Sequence, residues 1–116
     1  MHIEIIGSPK GELSYCRLEK GARIADASGF LEALASCPTT TMLIDKESLA
    51  EEFFDLRSGL AGECLQKVSN YRRRLAILGD FAHVASRALR DFISESNRTG
   101  QVVFAKDIES AIDLLR

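Results

Sequence analysis

The sequence is poor in the residue types that most often build metal and catalytic centres: its 116 residues include two histidines, three cysteines and no tryptophan. Neither an HExxH pattern nor a closely spaced cysteine and histidine set occurs, so we expect no bound metal. No nucleophile is paired with a base, and no complete phosphate-binding loop is present. These absences argue against a conventional enzyme, and we expect neither a catalytic residue nor a cofactor.

Long hydrophobic runs are also missing. No apolar run approaches the ~18 residues that a membrane span needs, and the N-terminal stretch MHIEIIGSPKG lacks the charged start and apolar core of a signal peptide. We therefore expect a cytoplasmic protein with no membrane partner. The formal net charge of −2 gives no general attraction for phosphate backbones, so nucleic acid is a disfavoured partner.

The three cysteines, Cys16, Cys37 and Cys64, are odd in number, widely spaced and set among apolar residues. This arrangement is typical of small buried side chains in a reducing compartment. We predict that all three thiols are reduced and act through packing.

Apolar periodicity predicts a single α/β domain over residues 1–116, since a 46% hydrophobic content can fill one compact core. Strand-like runs at 2–6 and 13–18, joined by the turn residues of GSPKGE, predict an N-terminal hairpin. The whole pattern predicts the order ββαβααβαβα, with a five-stranded and mostly parallel sheet. The core is expected to contain Ile5, Leu43, Ile44, Leu65, Ala76, Ile77, Phe92, Val103 and Ile112.

Residues that favour helix caps indicate where several helices begin. Ser28 and Asp107 are each expected to cap a helix. Residues 47–54 and 59–70 have the spacing of two amphipathic helices after the strand TTTMLID. The continuous apolar run RLAILG at 74–79 predicts the central strand of a parallel sheet.

Polar residues follow two of the predicted strands. Asp45 and Lys46 follow TTTMLID, and Asp80 and His83 follow RLAILG. Because the carboxyl ends of parallel strands meet at one edge of the sheet, these four residues are candidates for binding a ligand or partner there. Asp80 and His83 are the one candidate acid–base pair. The more usual interpretation of such residues is that Asp80 caps the next helix and His83 is exposed.

Ser58 precedes an amphipathic helix in the run LRSGL, and the simplest interpretation is an N-cap. A phosphate on Ser58 would instead meet the free amides of the helix start and the cation of Arg57. Gly59 would let a ligand phosphate approach the same amides, although close helix packing explains this glycine equally well. Ser58 is therefore a phosphorylation candidate, and Arg57 and Gly59 are candidate binding residues.

Two resemblances are carried by these same stretches. FFDLRSGLAGECLQK, NYRRRLAILGDF and SRALRDFISESNRTG resemble a bacterial domain family of unknown function, number 4180, over nearly the whole chain. The element order also resembles that of the STAS domains, which include the anti-sigma-factor antagonists and sulfate-transporter tails. Their D-S-S-G-L-like motif opens the helix after the third strand, and its second serine is a phosphorylation switch. Ser58, Gly59 and Leu60 match that motif, whereas Leu56 and Arg57 replace its acid and first serine.

Basic residues concentrate in one part of the sequence. Such a run is usually a solvated rim, and the functional alternative is an acidic protein partner. The residues concerned are Lys67, Arg72, Arg73, Arg74, Arg87 and Arg90.

Two classes of function stay open. The leading one is a cytoplasmic regulatory or protein-interaction module of STAS-like fold, with an unidentified protein partner. The alternative is a small-ligand-binding or enzymatic domain that uses the carboxyl edge of the sheet. A deep, polar-lined pocket would favour the alternative, whereas a shallow edge with an exposed apolar patch near Ser58 would favour the interaction module. Either class is compatible with a homo-oligomer.

Overall fold

The computed structural model describes residues 1–116 and contains a five-stranded mixed sheet with four α-helices. The strands are β1 (His2–Ile6), β2 (Leu13–Arg17), β3 (Thr41–Asp45), β4 (Arg74–Leu78) and β5 (Val102–Ala105). The helices are α1 (Ala27–Ser36), α2 (Leu60–Asn70), α3 (Arg87–Thr99) and α4 (Ile108–Leu114). The predicted α/β class and the predicted number of strands are both confirmed.

The strands lie side by side in chain order, β1-β2-β3-β4-β5. β1 pairs with β2 antiparallel, as the predicted hairpin requires, and each later pair is parallel. Parallel neighbours need a crossover connection, and the three crossovers contain α1, α2 and α3 respectively. The carboxyl ends of four parallel strands therefore meet at one edge of the sheet.

Apolar residues fill both faces of the sheet. On one face, Met42 and Ile77 belong to a buried cluster with Phe30 of α1 and residues of α2. On the other face, Leu43 belongs to a second cluster with Ala111 of α4. Alternate residues of one strand thus enter different clusters, as the two-residue period of a strand requires. None of the helices combines the length and the apolar character needed to span a membrane.

Two of the expected helix caps are wrong. Asp26 caps α1 by accepting a hydrogen bond from the amide of Gly29 at 2.7 Å, so Ser28 lies inside the first turn. Ser86 caps α3 through the amide of Leu89, which leaves Asp80 outside the helix. The expected cap at Asp107 is confirmed, since its carboxylate accepts from the amide of Ser110 at 2.8 Å.

The connection between β3 and α2 differs from the predicted helix over 47–54. It consists of three short 3-10 turns, Lys46–Ser48, Glu51–Phe54 and Leu56–Ser58. Between the first two turns the backbone is extended and pairs with Ile24 through an isolated parallel bridge at Leu49. This long-range pairing interrupts the local helical pattern.

The predicted core is largely correct. Five of its members are buried, namely Leu43, Ile44, Ala76, Ile77 and Val103. Three others are half-buried and pack at the margins of the two clusters, namely Leu65, Phe92 and Ile112. The prediction is wrong for Ile5, which is 44% exposed because β1 is an edge strand.

Candidate functional site

An open cleft of about 970 Å³ lies at the carboxyl edge of the sheet. Its walls come from the ends of β3 and β4, from Tyr15 on β2, and from the segment that leads from β5 into α4. The parallel topology brings these separate parts of the chain together. The candidates Asp45, Lys46 and Asp80 all line this cleft.

A tyrosine–carboxylate hydrogen bond joins two strands in the cleft. The hydroxyl of Tyr15 donates to Oδ1 of Asp45 at 2.5 Å. Tyr15 stands opposite Leu43 in the β2–β3 register, and Asp45 follows two residues later on the same face. Burial and this hydrogen bond raise the pKa of Tyr15 to about 12. Tyr15 is therefore a protonated donor near neutral pH, and it fixes the orientation of the Asp45 carboxylate.

Lys46 is held in place at the neighbouring strand end. Its Nζ donates to the carbonyl oxygen of Asp80 at 2.9 Å and lies 5.0 Å from the ring centroid of Phe81 and 5.8 Å from that of Phe54. The lysine stem crosses Gly79 so closely that a Cβ on Gly79 would lie 2.7 Å from the Cβ of Lys46. Gly79 therefore leaves the space that lets the ammonium reach this position.

The cleft carries both signs of charge. Its basic side chains are Arg23, Lys46 and Lys106. Its acidic side chains are Asp45, Glu47, Glu51, Asp80, Asp107 and Glu109. Hydrogen bonds with Ser110 lower the pKa of Asp107, so this carboxylate remains ionised. Mixed charge of this kind suits a polar ligand that carries both donors and acceptors.

The candidate acid–base pair is not assembled. The carboxylate of Asp80 accepts from the amide of Ala82 at 2.9 Å, in the turn that follows β4. His83 is exposed in that turn, does not line the cleft and forms no hydrogen bond or ion pair with Asp80.

Ser58 lies outside the cleft, at the end of the last 3-10 turn before α2. Its Oγ donates to the carbonyl of Glu52 at 2.6 Å and accepts from the amide of Leu60 at 3.2 Å. The prediction that Ser58 is the N-cap of α2 is wrong, because Gly59 occupies that position with φ of +80°. Ser58 is exposed, and the neighbouring Arg57 side chain is 94% exposed.

The basic residues do not form one patch of free cations. One guanidinium nitrogen of Arg73 lies within 3.2 Å of three carbonyl oxygens at the end of α1. Arg87 pairs with Asp91 at 3.9 Å, and Arg90 donates to the carbonyls of Val84 and Ala85 at 2.9 Å. These contacts give several of the arginines a structural role.

The cysteines are free and buried. Burial raises the pKa of Cys37 and of Cys64 to about 11, and it raises the pKa of Cys16 as well. Such thiols are poor nucleophiles because thiolate is the reactive form. No group of three or more histidine, cysteine, aspartate or glutamate side chains is arranged to hold a metal ion.

Sequence reasoning located the edge of the sheet and named three of the fifteen lining residues, Asp45, Lys46 and Asp80, but it missed Tyr15 and Arg23 among others. Tyr15 lies in the hairpin strand, and its partner Asp45 is thirty residues away in the chain. The alternation in LSYCR indicates that the side chains of Tyr15 and Cys16 point to opposite faces of the sheet. Only the position of α4 shows which of these two faces is open to a ligand.

Comparison with known proteins gives a family and no activity. The family described as "Domain of unknown function (DUF4180)" matches residues 17–115, which include every residue of the cleft named above except Tyr15. No curated protein and no solved structure matches the chain.

Proposed function

We propose that this chain, which belongs to the DUF4180 family of domains of unknown function, binds a small polar molecule in the cleft at the carboxyl edge of its sheet. The position supports the proposal, since open parallel sheets bind ligands outside the carboxyl ends of their strands. The volume of about 970 Å³ also supports it, because ligand pockets are commonly about 300–1,000 Å³.

The observation that carries this proposal is a pair of fixed polar groups on neighbouring strand ends. Tyr15 orients Asp45, whose second carboxylate oxygen has no hydrogen-bond partner within the chain. Lys46 uses one of its three N–H donors on Asp80. A ligand with an amine or hydroxyl for Asp45 and an anionic or carbonyl oxygen for Lys46 would satisfy both. Groups fixed before binding lose little side-chain entropy when the ligand arrives.

We interpret the site as one for binding rather than catalysis. Tyr15 is a weaker acid than an ordinary tyrosine, and Asp80 has no histidine beside it. General acid–base catalysis needs a group whose pKa lies near the working pH.

A thermal-shift screen of polar metabolites, including amino acids, nucleosides, sugar phosphates and dicarboxylates, tests the proposal. A compound present at about a hundredfold its Kd adds about 2.7 kcal/mol to the free energy of unfolding. We expect at least one such compound, and we expect Asp45→Asn and Lys46→Met to weaken its binding roughly tenfold to a hundredfold, because each removes a charge-assisted hydrogen bond.

Two further variants sharpen this test. Gly79→Ala keeps every charge but forces Lys46 out of its position, so it should weaken binding as well. Arg57→Met removes an exposed cation outside the cleft and should leave binding unchanged. A compound bound equally well by all four variants would place the ligand elsewhere and refute the proposed site.

A second candidate function is the cytoplasmic regulatory or protein-interaction module of STAS-like fold, with Ser58 as a phosphorylation switch. Its support is an exposed hydroxyl just before α2, which accepts from the first amide of that helix, Leu60, and lies next to the exposed cation of Arg57. None of the large exposed apolar side chains, Met1, Ile5, Tyr71 and Leu114, lies near Ser58 in the sequence. For this reason we place the cleft first.

Mass spectrometry of the chain isolated from its native cells tests the switch. We expect one phosphate on the peptide that contains Ser58 and none after Ser58→Ala, since a phosphoryl group there gains the helix amides and Arg57. Ser69→Ala, at an exposed serine inside α2, is the matched control and should keep the phosphate. Absence of phosphate on Ser58 during both growth and stress would exclude the switch.

A further inference from the structure

The two edge strands of the sheet, β1 and β5, differ in whether a side chain bonds to their outward backbone groups. At the β5 edge, the side chain of Asn97 bonds to both outward backbone groups of Phe104. The Phe104 amide donates to Oδ1 of Asn97 at 2.7 Å, and Nδ2 of Asn97 donates to the Phe104 carbonyl at 3.1 Å. At the β1 edge, β1 pairs only with β2, and no side chain bonds to the outward backbone groups. An uncovered edge strand is a template for another strand.

Apolar side chains line this open edge. Ile3 and Ile5 stand opposite Cys16 and Ser14, so both point to the face of the sheet covered by α1, and Met1 continues the alternation. Met1 is 56% exposed and Ile5 is 44% exposed. They are two of the four large hydrophobic residues that the chain exposes.

We propose that β1 pairs with β1 of a second copy of this chain, in an antiparallel arrangement that joins two sheets into one of ten strands. A two-fold axis that relates two antiparallel edge strands must be perpendicular to the sheet. Directly opposed residues then lie on the same face of the joined sheet. An odd-numbered residue of one copy therefore opposes an odd-numbered residue of the other, and an even-numbered residue opposes an even-numbered one. Few registers meet this condition, and they can be compared residue by residue.

The register centred on Ile3 is self-complementary. It places Ile3 opposite Ile3 of the second copy, Met1 opposite Ile5, and His2 opposite Glu4. Both exposed apolar side chains are thus covered, and the imidazole faces a carboxylate on the other face of the sheet. The next register, centred on Glu4, places two like charges directly opposite each other on the axis, which is destabilising. The sequence of β1 therefore favours the first register.

The inference is independent of the cleft, which contains no residue of β1. A five-residue edge is small beside the ~800 Å² per partner of a standard stable complex, so we expect dimerisation at micromolar concentration. Sedimentation equilibrium of the full chain from about 1 to 300 µM measures it.

A substitution on the open edge should abolish much of this association. Ile5→Lys replaces an exposed side chain and should weaken dimerisation roughly tenfold or more, since two cross-strand apolar contacts, one on each side of the axis, are lost. Tyr71→Lys, at another exposed apolar residue, is the control and should leave the association constant unchanged. A chain that stays monomeric throughout, or a dimer insensitive to Ile5→Lys, would overturn the proposal.

Cysteine cross-linking tests the register. Because Cys16 of the same chain stands opposite Ile3, both cysteine variants are made in a Cys16→Ser background; Ile3→Cys then places two thiols on the two-fold axis, with a Cα separation of about 4.5–5.5 Å that a disulfide can span. We expect mild oxidation to link Ile3→Cys dimers efficiently and to leave Glu4→Cys unlinked. Efficient linking of Glu4→Cys alone would overturn the register centred on Ile3. Circular dichroism of both variants shows whether each is folded, and His2→Lys against His2→Asp repeats the test without a thiol, since only the first should keep the dimer.

Discussion

Raising the pH from 8 to 11 is expected to lower the free energy of unfolding of this protein by several kcal/mol. The cause is a set of buried groups that the fold keeps protonated. Burial raises the pKa of Cys37 and of Cys64 from 9.0 to about 11, and burial with the bond to Asp45 raises that of Tyr15 from 10.0 to about 12. Burial raises the pKa of Cys16 in the same direction.

The sign follows from which state releases protons first. Above about pH 9 the unfolded chain ionises its thiols while the folded chain keeps them protonated, so the unfolded state binds fewer protons and stability falls as pH rises. The thiol contribution is fully present below pH 9 and is lost towards pH 11; that of Tyr15 is lost between about pH 10 and 12. Cys37, Cys64 and Tyr15 each contribute on the order of 2 kcal/mol, against a typical total of about 5–15 kcal/mol.

Urea unfolding at pH 7, 8, 9, 10 and 11, followed by far-UV circular dichroism, measures this loss. Cys64→Ala removes one titrating group, so its stability should fall less steeply above pH 9, although its stability at pH 7 is lower through lost packing. Tyr71→Phe removes an exposed hydroxyl and should leave the pH profile unchanged. A free energy of unfolding that stays constant from pH 8 to 10.5 would contradict the prediction.

The sequence predicts the sheet well because its strands have a clear local signal. RLAILG is short, apolar and bounded by polar residues, and it forms the buried strand β4. The prediction of Asp107 as a helix cap is correct because no other good capping residue directly precedes it. The prediction of Ser28 is wrong because Asp26, two residues earlier, is also a good capping residue. Both residue types are good N-caps, so the sequence alone does not decide between them.

Long-range pairing accounts for the main errors. The amide of Ile24 donates to the carbonyl of Ser48, and the amide of Ala50 donates to the carbonyl of Ile24. These bonds hold an extended segment where local spacing indicated a helix. The same reason explains why the sequence predicts Asp45 and Lys46 as site residues but does not predict Tyr15. Strand ends can be read from order alone, whereas the partner of Asp45 depends on the β2–β3 register.

Replacing Arg73 by Met is expected to lower the free energy of unfolding by about 2–4 kcal/mol. The reason is that the Arg73 guanidinium donates to three backbone carbonyl groups that contact no other cationic side chain. Its Nη1 lies 3.2 Å from the carbonyl oxygens of Leu34 and Cys37 and 3.0 Å from that of Thr39. α1 has no basic residue in its own last turn. Arg73, which precedes β4, therefore supplies the positive charge that favours a helix C-terminus.

This contact corrects the interpretation of the arginine run as a solvated rim. Arg73 and its neighbour Arg72 look equivalent in the sequence, but the Arg72 side chain is exposed and forms no hydrogen bond or ion pair. The different roles arise because Arg72 has φ of +53°, which turns the chain between α2 and β4 and directs the next side chain towards α1.

The pair supplies a matched experiment. Thermal unfolding at pH 7 should show Arg73→Met melting roughly 10 °C below the native chain, while Arg72→Met melts within a few degrees of it. Arg73→Lys should fall between them, because a lysine keeps the charge near the helix end but lacks the planar fork that reaches several carbonyls. If Arg72→Met and Arg73→Met lower the melting temperature equally, the decrease results from the loss of a surface charge. The hydrogen bonds from Arg73 to the end of α1 then do not stabilise the fold.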